Sequence, residues 1–239
     1  SFFIEITDKF AKADRNIWPT IFLQPEQYAI AAGMSTSGAV MSWFSDLLDG
    51  YSYQLLDRLA EEIPPGSEGL LLLPYFSGER TPLNDPNARG ALVGLSLFHK
   101  KGHIFRAILE AIAYGIRDNI ENIEKAGLPV RRAVAIGGGT THSKLWLQIY
   151  ADVTGLPIKK TTTSEAAALG SAILSAVAAG KYNSITEAAN KMVKFKETVV
   201  PNMDNHKKYK FFIGQYEGTY LTLKDSAYTM STHISNSNK

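Results

Sequence analysis

Three consecutive glycines, Gly137 to Gly139, stand between a predicted strand at 132–136 and a predicted helix from about 143 to 154. Glycines at such a junction let backbone N–H groups approach a ligand closely, and the N-terminus of the following helix favours an anionic group such as phosphate. The spacing is neither that of a Walker A loop, because no Gly-Lys-Ser/Thr follows, nor that of a dinucleotide fingerprint. The segment therefore predicts a nucleotide loop, with a simple tight turn as the alternative.

A second candidate anion site is the segment from Ser35 to Gly38 (STSG), where a predicted strand at 28–34 meets a predicted helix. Hydroxyl groups and a glycine at a helix N-terminus are suited to hold a phosphate group. The same hydroxyl groups could instead cap the helix by accepting hydrogen bonds from its first N–H groups. The residues alone leave both interpretations open.

A third candidate is the turn-rich segment from Gly78 to Gly90, which carries Glu79, Arg80, Asp85 and Arg89. Two arginines and two acids in an ordered loop can grip a polar substrate. Such residues more often hold the loop itself together through charge-assisted hydrogen bonds. The sequence does not decide between these roles.

Metal ligands and catalytic acids are not apparent elsewhere. His99 and His103 have the spacing of metal ligands on a helix, but Gly102 interrupts the helical pattern there and no third ligand is evident. No pair of carboxylates stands out as a general acid and base. The sequence therefore predicts no metal-ligating residue and no catalytic residue in this chain.

The elements that must position these segments alternate between strands and helices, which predicts an α/β fold with helices covering a sheet. Strands are predicted at 28–34, 70–73, 132–136, 156–160 and 198–201. Helices are predicted at 37–62 (with a break at Asp49-Gly50), 105–127, 143–154, 165–179, 186–194 and 204–223. The polar, Ser/Asn-rich residues 226–239 are expected to form a flexible tail.

Composition limits the class of protein. With 239 residues that are 45% hydrophobic and 20% charged, the chain can bury a sizeable core and is not a disordered protein. A net charge of +2 without a basic stripe argues against a nucleic-acid partner, and zero cysteines exclude disulfides and thiolate chemistry. No export signal or membrane span is recognisable, so we expect a cytoplasmic protein with no membrane partner.

Three segments together resemble the FGGY family of carbohydrate kinases. The segments are Gly33 to Phe44 (GMSTSGAVMSWF), Gly78 to Leu95 (GERTPLNDPNARGALVGL) and Gly137 to Ile158 (GGGTTHSKLWLQIYADVTGLPI). They occur in the order and at the separations that are typical of the family, and the resemblance is strongest over residues 28–180.

The resemblance implies an actin-like, ribonuclease-H-type ATPase fold, in which a mixed sheet is flanked by helices. FGGY kinases have two such domains, and this chain looks like the C-terminal, nucleotide-binding one over residues 1–225, without the N-terminal sugar-binding and catalytic domain. ATP and Mg²⁺ are the implied cofactors, and the oligomeric state is left open, with a homodimer as one option. Because the family's catalytic aspartate has no counterpart here, we expect the chain alone to lack kinase activity.

The resemblance also implies roles for individual residues. Gly38 lies near the α-phosphate of ATP, and Gly138, Gly139 and Thr140 belong to the adenosine loop, with Gly139 nearest the nucleotide. Ser143 stands where glycerol kinases carry an asparagine that contacts adenine.

The same resemblance indicates the class of sugar. The GERTPxxDPNARG pattern is similar to that of xylulose kinases, which implies a ketopentose such as D-xylulose as the phosphate acceptor. A gluconate, glycerol or other polyol kinase is one alternative. A non-catalytic nucleotide-binding module is the other.

Overall fold

The computed structural model describes residues 2–10, 16–131, 133–135 and 142–237. Its strands are β1 (Phe2–Thr7), β2 (Trp18–Ile21), β3 (Tyr28–Gly33), β4 (Leu71–Leu73), β5 (Ala91–Val93), β6 (Ala133–Ala135), β7 (Ile158–Thr161) and β8 (Phe195–Val199). Its α-helices are α1 (Gly38–Leu47), α2 (Tyr53–Glu61), α3 (Lys101–Lys125), α4 (Lys144–Thr154), α5 (Ala166–Ala178), α6 (Ile185–Met192) and α7 (Met203–Ser237). A short 3₁₀ turn at Ser67–Gly69 precedes β4.

Within the described residues, the strands form three small sheets. β3 pairs antiparallel with both β1 and β2, and β4 pairs antiparallel with β5. β7 pairs parallel with β6 and antiparallel with β8, so this sheet is mixed, as predicted. The predicted helix over 37–62 is broken where expected, because Asp49 and Gly50 both have positive φ between α1 and α2.

Helix α3 runs through the centre of the structure. It contacts α1, α2, α4, α7, β1, β3 and β4, and Phe105, Ile108, Leu109 and Ile112 are completely buried along it. Helix α2 approaches α3 closely because a glycine of α3 lies at their contact. A Cβ atom at Gly102 would lie 2.3 Å from the backbone oxygen of Leu59. The largest share of the hydrophobic core therefore forms around this helix.

A buried ionic network joins α3 to α7. The Arg106 Nε atom of α3 lies 2.8 Å from Glu110 Oε1 one turn later, and both groups contact the Tyr209 hydroxyl of α7. Glu110 also accepts hydrogen bonds from the Gly66 N–H group and the Ser67 hydroxyl. Each charge thus has a partner of opposite charge and further hydrogen bonds, as buried ions require.

Helix α7 departs from the sequence-based expectation. A helix ending near residue 223 and a flexible tail were predicted, whereas the helix continues to Ser237. Tyr220, Leu223, Ala227 and Met230 recur at helical spacing and line a cavity of about 450 Å³ against residues 88–91. The prediction was wrong about the secondary structure of this segment, because the polar composition concealed that apolar stripe.

No helix among the described residues combines the length and the apolar character that crossing a membrane requires.

Replacing Glu110 tests the buried network. Glu110→Ala should lower the free energy of unfolding by about 3–5 kcal/mol, because Arg106 would remain buried without its charge partner. Urea denaturation followed by circular dichroism measures this change. The matched control is Glu124→Ala, since Glu124 lies 3.9 Å from Arg117 with a side chain that is 40% exposed, and it should cost less than about 0.5 kcal/mol. Equal losses in the two variants would contradict the role assigned to Glu110.

Candidate functional site

The turn between β3 and α1 brings the second candidate anion site, Ser35 to Gly38, to the surface. Met34 is buried below this turn, and Val40 and Phe44 bury the inner side of α1. Ser37 precedes the helix, and its side chain does not cap the helix with a hydrogen bond. Apart from its chain neighbours, a Cβ atom at Gly38 would meet no atom of the described residues within 4 Å. Within the part of the chain that the structure describes, the N-terminus of α1 is therefore exposed at Gly38, and an anion site would need such exposure.

The loop that follows Gly78 holds this turn in place. Glu79 Oε1 accepts hydrogen bonds from the N–H groups of Ser35, at 2.8 Å, and Arg80, at 2.7 Å. The Thr81 hydroxyl accepts a hydrogen bond from the Gly33 N–H group and donates one to the Gly33 carbonyl. The end of β3 and the start of the turn are thus bound by side chains that lie more than 40 residues away in the sequence.

The environment of the Glu79 carboxyl group is energetically unfavourable. It is only 5% exposed, and its Oε2 atom has no hydrogen-bond partner among the described residues. Burial raises the pKa of Glu79 to about 7, although its two backbone hydrogen bonds lower it in part. The carboxyl group therefore changes its charge near neutral pH.

Asp85 closes the same loop from the other side. Glu79 and Asp85 exchange two backbone hydrogen bonds of 2.8 Å. The Asp85 carboxylate accepts hydrogen bonds from the Asn87 N–H group and from the hydroxyl groups of Tyr220 and Tyr228 on α7. Desolvation opposes ionisation of Asp85, but these hydrogen bonds outweigh it and hold its pKa below the usual value.

The two arginines of the loop differ in their environment. Arg89 donates hydrogen bonds to the backbone carbonyls of Pro86 and Ala88, so it supports the loop itself. Arg80 is exposed. The geometry thus favours the loop-holding interpretation for Glu79, Asp85 and Arg89.

Ser143 lies at the N-terminus of α4. Its hydroxyl accepts a hydrogen bond of 3.0 Å from the Trp146 N–H group and so caps the helix. Ser143 also hydrogen-bonds Asp57 of α2, a residue that sequence analysis did not single out, and burial raises the pKa of Asp57 despite this bond. Gly138, Gly139 and Thr140 lie outside the described residues. The roles of all five residues predicted to contact the nucleotide stay predictions.

The two histidines with metal-ligand spacing have other partners. His103 Nε2 lies 2.8 Å from Glu68, and His103 Nδ1 accepts a hydrogen bond from the Lys100 N–H group. His99 Nδ1 accepts one from the Ser96 N–H group. Among residues 2–10, 16–131, 133–135 and 142–237, no three acidic, histidine or cysteine side chains are grouped to hold a metal ion.

Sequence analysis missed the side chains that connect the loop at 78–90 to α7. Tyr220 and Tyr228 are 135 and 143 residues from Asp85, so no local spacing relates them. Their separation of eight residues, about two helical turns, was the available signal, but Tyr228 had been assigned to the tail.

Comparison with known proteins identifies the family to which this chain belongs. The family model of the C-terminal domain of FGGY carbohydrate kinases matches residues 1–179. A xylulose kinase of Staphylococcus epidermidis is 32% identical over 201 residues, and a ribulokinase of Bacillus licheniformis is 38% identical over 173 residues. These alignments cover 84% and 70% of this chain but only 40% and 31% of the two relatives.

Solved structures agree with the sequence comparison. The crystal structure of a xylulose kinase from Rhodospirillum rubrum superimposes with a TM-score of 0.83 at 30% identity. The match covers 95% of this chain and 46% of that protein. The predicted fold class and family are thereby confirmed, and the chain spans less than half the length of these relatives.

The ionisation of Glu79 should make stability depend on pH. Its pKa of about 7 in the folded state lies above the ordinary value of 4.5, so the folded state binds the proton more tightly. Wild-type stability should therefore fall as pH rises from about 4.5 to 7, by up to about 3 kcal/mol from this group. Glu79→Gln removes this ionisation and should make the fall in stability between pH 5 and pH 8 smaller than in the wild type, as measured by urea denaturation. The fall that remains comes from other buried acids such as Asp118, whose pKa burial raises to about 8.

The control for this measurement is Glu62→Gln, because Glu62 is exposed. Its curve should run parallel to that of the wild type. A Glu79→Gln curve that also runs parallel would show that Glu79 ionises normally.

Proposed function

The chain belongs to the FGGY family of carbohydrate kinases, and we propose that it is the nucleotide-binding part of an ATP-dependent kinase that phosphorylates a sugar hydroxyl group. The observation that carries this proposal is the family match over residues 1–179, which includes the turn at 33–38, the loop at 78–90 and the glycine loop. The open N-terminus of α1 supports it, because a helix N-terminus with accessible backbone N–H groups favours phosphate oxygens.

In this proposal the nucleotide lies between two helix N-termini. The α-phosphate binds at Gly38, where the backbone is accessible and the dipole of α1 favours negative charge. Gly138, Gly139 and Thr140 contact the adenosine, with Ser143 beside them at the start of α4. Both α1 and α4 contact α3, so the same helix supports both of the elements proposed to bind the nucleotide.

Mg²⁺ neutralises phosphate charge in phosphoryl transfer when it is bound with ATP. The described residues do not fit a protein-held Mg²⁺ site, because no group of acidic side chains is placed for one. We therefore assign no Mg²⁺ ligand to them. Their role is to bind and orient the nucleotide.

The proposed phosphate acceptor is a ketopentose such as D-xylulose. The relatives compared above are named xylulose kinase and ribulokinase, and xylulose and ribulose are both ketopentoses. The chain aligns with only 40% of the xylulose kinase from Staphylococcus epidermidis, and phosphoryl transfer depends on positioning both substrates. The chain by itself should therefore bind nucleotide without transferring phosphate.

Hydrogen–deuterium exchange of this chain with millimolar Mg²⁺–ATP tests the proposal. Exchange should slow in peptides that cover 33–38 and 137–143, because bound nucleotide shields their N–H groups. A coupled assay with D-xylulose should detect no turnover by the chain alone. Absence of protection at both segments would contradict the nucleotide site, and turnover would contradict the need for a second part.

Gly38 offers a direct test of the phosphate contact. Gly38→Ala adds a methyl group that meets no non-adjacent atom of the described residues within 4 Å, so stability should not fall. The methyl group would stand where the phosphate approaches, and it should weaken Mg²⁺–ATP binding about tenfold or more, as measured by calorimetry. Gly214→Ala is the matched control, because a Cβ atom there also meets no other atom, and it should leave affinity unchanged. Equal affinities in both variants would place the phosphate elsewhere.

A further inference from the structure

Residues 78–90, which we call the strap, contact both the turn at 33–38 and helix α7. We propose that the strap couples the position of α7 to the shape of the turn at 33–38. Glu79 is the residue that positions the turn, and Asp85 is the residue that attaches the strap to α7. This inference rests on the proposed function, because it assigns to Glu79 an effect on nucleotide affinity.

The first link is between the strap and the turn. Glu79 accepts the Ser35 N–H hydrogen bond within the turn, and the Thr81 hydroxyl holds both backbone groups of Gly33 at its start. These contacts fix the backbone on the strand side of the turn. Gly38 follows three residues after Ser35, so a change in the backbone at Ser35 changes where the N–H groups of α1 point.

The second link lies inside the strap. The backbones of Glu79 and Asp85 are paired by two hydrogen bonds of 2.8 Å. Gly78 has a φ of +73°, and a Cβ atom there would lie 2.8 Å from the Pro86 carbonyl oxygen. The two ends of this narrow loop are therefore in direct contact, and a displacement of Asp85 is transmitted to Glu79.

The third link is between the strap and α7. The hydroxyl groups of Tyr220 and Tyr228 both donate hydrogen bonds to the Asp85 carboxylate, which is 8% exposed. Hydrogen bonds to a charged group contribute more to stability than those between neutral groups, and a buried carboxylate that loses its donors is costly. The position of Asp85 therefore follows that of α7.

The energetic cost of Glu79 distinguishes this arrangement from ordinary loop packing. A hydroxyl group could accept the Ser35 N–H hydrogen bond at little cost, whereas Glu79 is buried with one oxygen that has no partner among the described residues. The Glu79 side chain is long enough to extend from the strap to the Ser35 N–H group in the turn. Glu79 thus supplies a connection that a short local cap would lack.

Two sets of variants test the coupling. Glu79→Ala removes the acceptor, whereas Glu79→Gln keeps an oxygen at the Oε1 position. The double variant Tyr220→Phe/Tyr228→Phe keeps both rings but removes the donors to Asp85. The matched controls are Glu62→Ala and Tyr53→Phe, because Glu62 is exposed and Tyr53 is 45% exposed.

Exchange of the ligand-free chain and affinity for Mg²⁺–ATP are the two measurements. Glu79→Ala should speed exchange of peptides covering 33–38. It should also weaken binding about tenfold, because nucleotide would have to order a turn that has lost one charge-assisted hydrogen bond. Glu79→Gln should restore most of both values. The double tyrosine variant should speed exchange over both 79–85 and 33–38 and weaken binding in the same direction. The two controls should match the wild type.

Several results would overturn the coupling. Unchanged exchange at 33–38 in Glu79→Ala would remove the first link, and faster exchange confined to 79–85 in the double tyrosine variant would show that α7 does not reach the turn. Unchanged affinity in a Glu79→Ala chain with a loosened turn would remove the positioning role. Failure of the wild type to bind nucleotide would instead contradict the proposed function, and exchange without ligand would still decide whether α7 controls the turn. If Glu79→Ala does not fold, the double tyrosine variant decides.

Discussion

The burial of α3 is the constraint on which the remaining structure depends. A helix of 25 residues that contacts four other helices and three strands must be surrounded before its apolar side chains leave water. Arg106 and Glu110 are charged residues within this core, and the Tyr209 hydroxyl of α7 binds both. The start of α7 is therefore held against α3 by the requirement that buried charges keep their partners.

Buried carboxylates connect distant segments in this fold, and their environments give them different properties. Glu79 accepts backbone N–H groups but has an oxygen without a partner among the described residues, so burial dominates and raises its pKa. Asp85 receives hydroxyl and backbone donors, which lower its pKa although desolvation opposes them. The donors that reach each carboxyl group, together with the extent of its desolvation, thus decide which of these acids stays charged near neutral pH.

The turn before α1 is shaped by contacts from outside its own sequence, since Ser37 provides no side-chain cap and Glu79 binds the Ser35 N–H group instead. A turn that is held from outside can keep its first helical N–H groups available for a ligand. This separation between the groups that hold the turn and those that face outward is what preorganised anion binding requires.

Most of the elements followed from the sequence because their signals are local. Apolar spacing placed α3, α4 and β3, and the positive φ values of Asp49 and Gly50 occur where a break in the helix was predicted. The short strands β1, β2 and β5 were missed, because a strand of three to six residues is defined by its pairing partner more than by its own composition. The end of α7 was missed for a related reason, since its apolar stripe has meaning only against residues 88–91.

The sequence by itself determined the family and the alternation of strands and helices, and it predicted the segments that we propose to bind phosphate, because these are properties of residue type and short-range spacing. Only the tertiary structure decided how those segments are held. The contacts of Glu79 with Ser35 and of Asp85 with Tyr220 join residues 44 and 135 positions apart. Such contacts depend on which surfaces meet when the chain buries its apolar residues, and no local pattern encodes that choice.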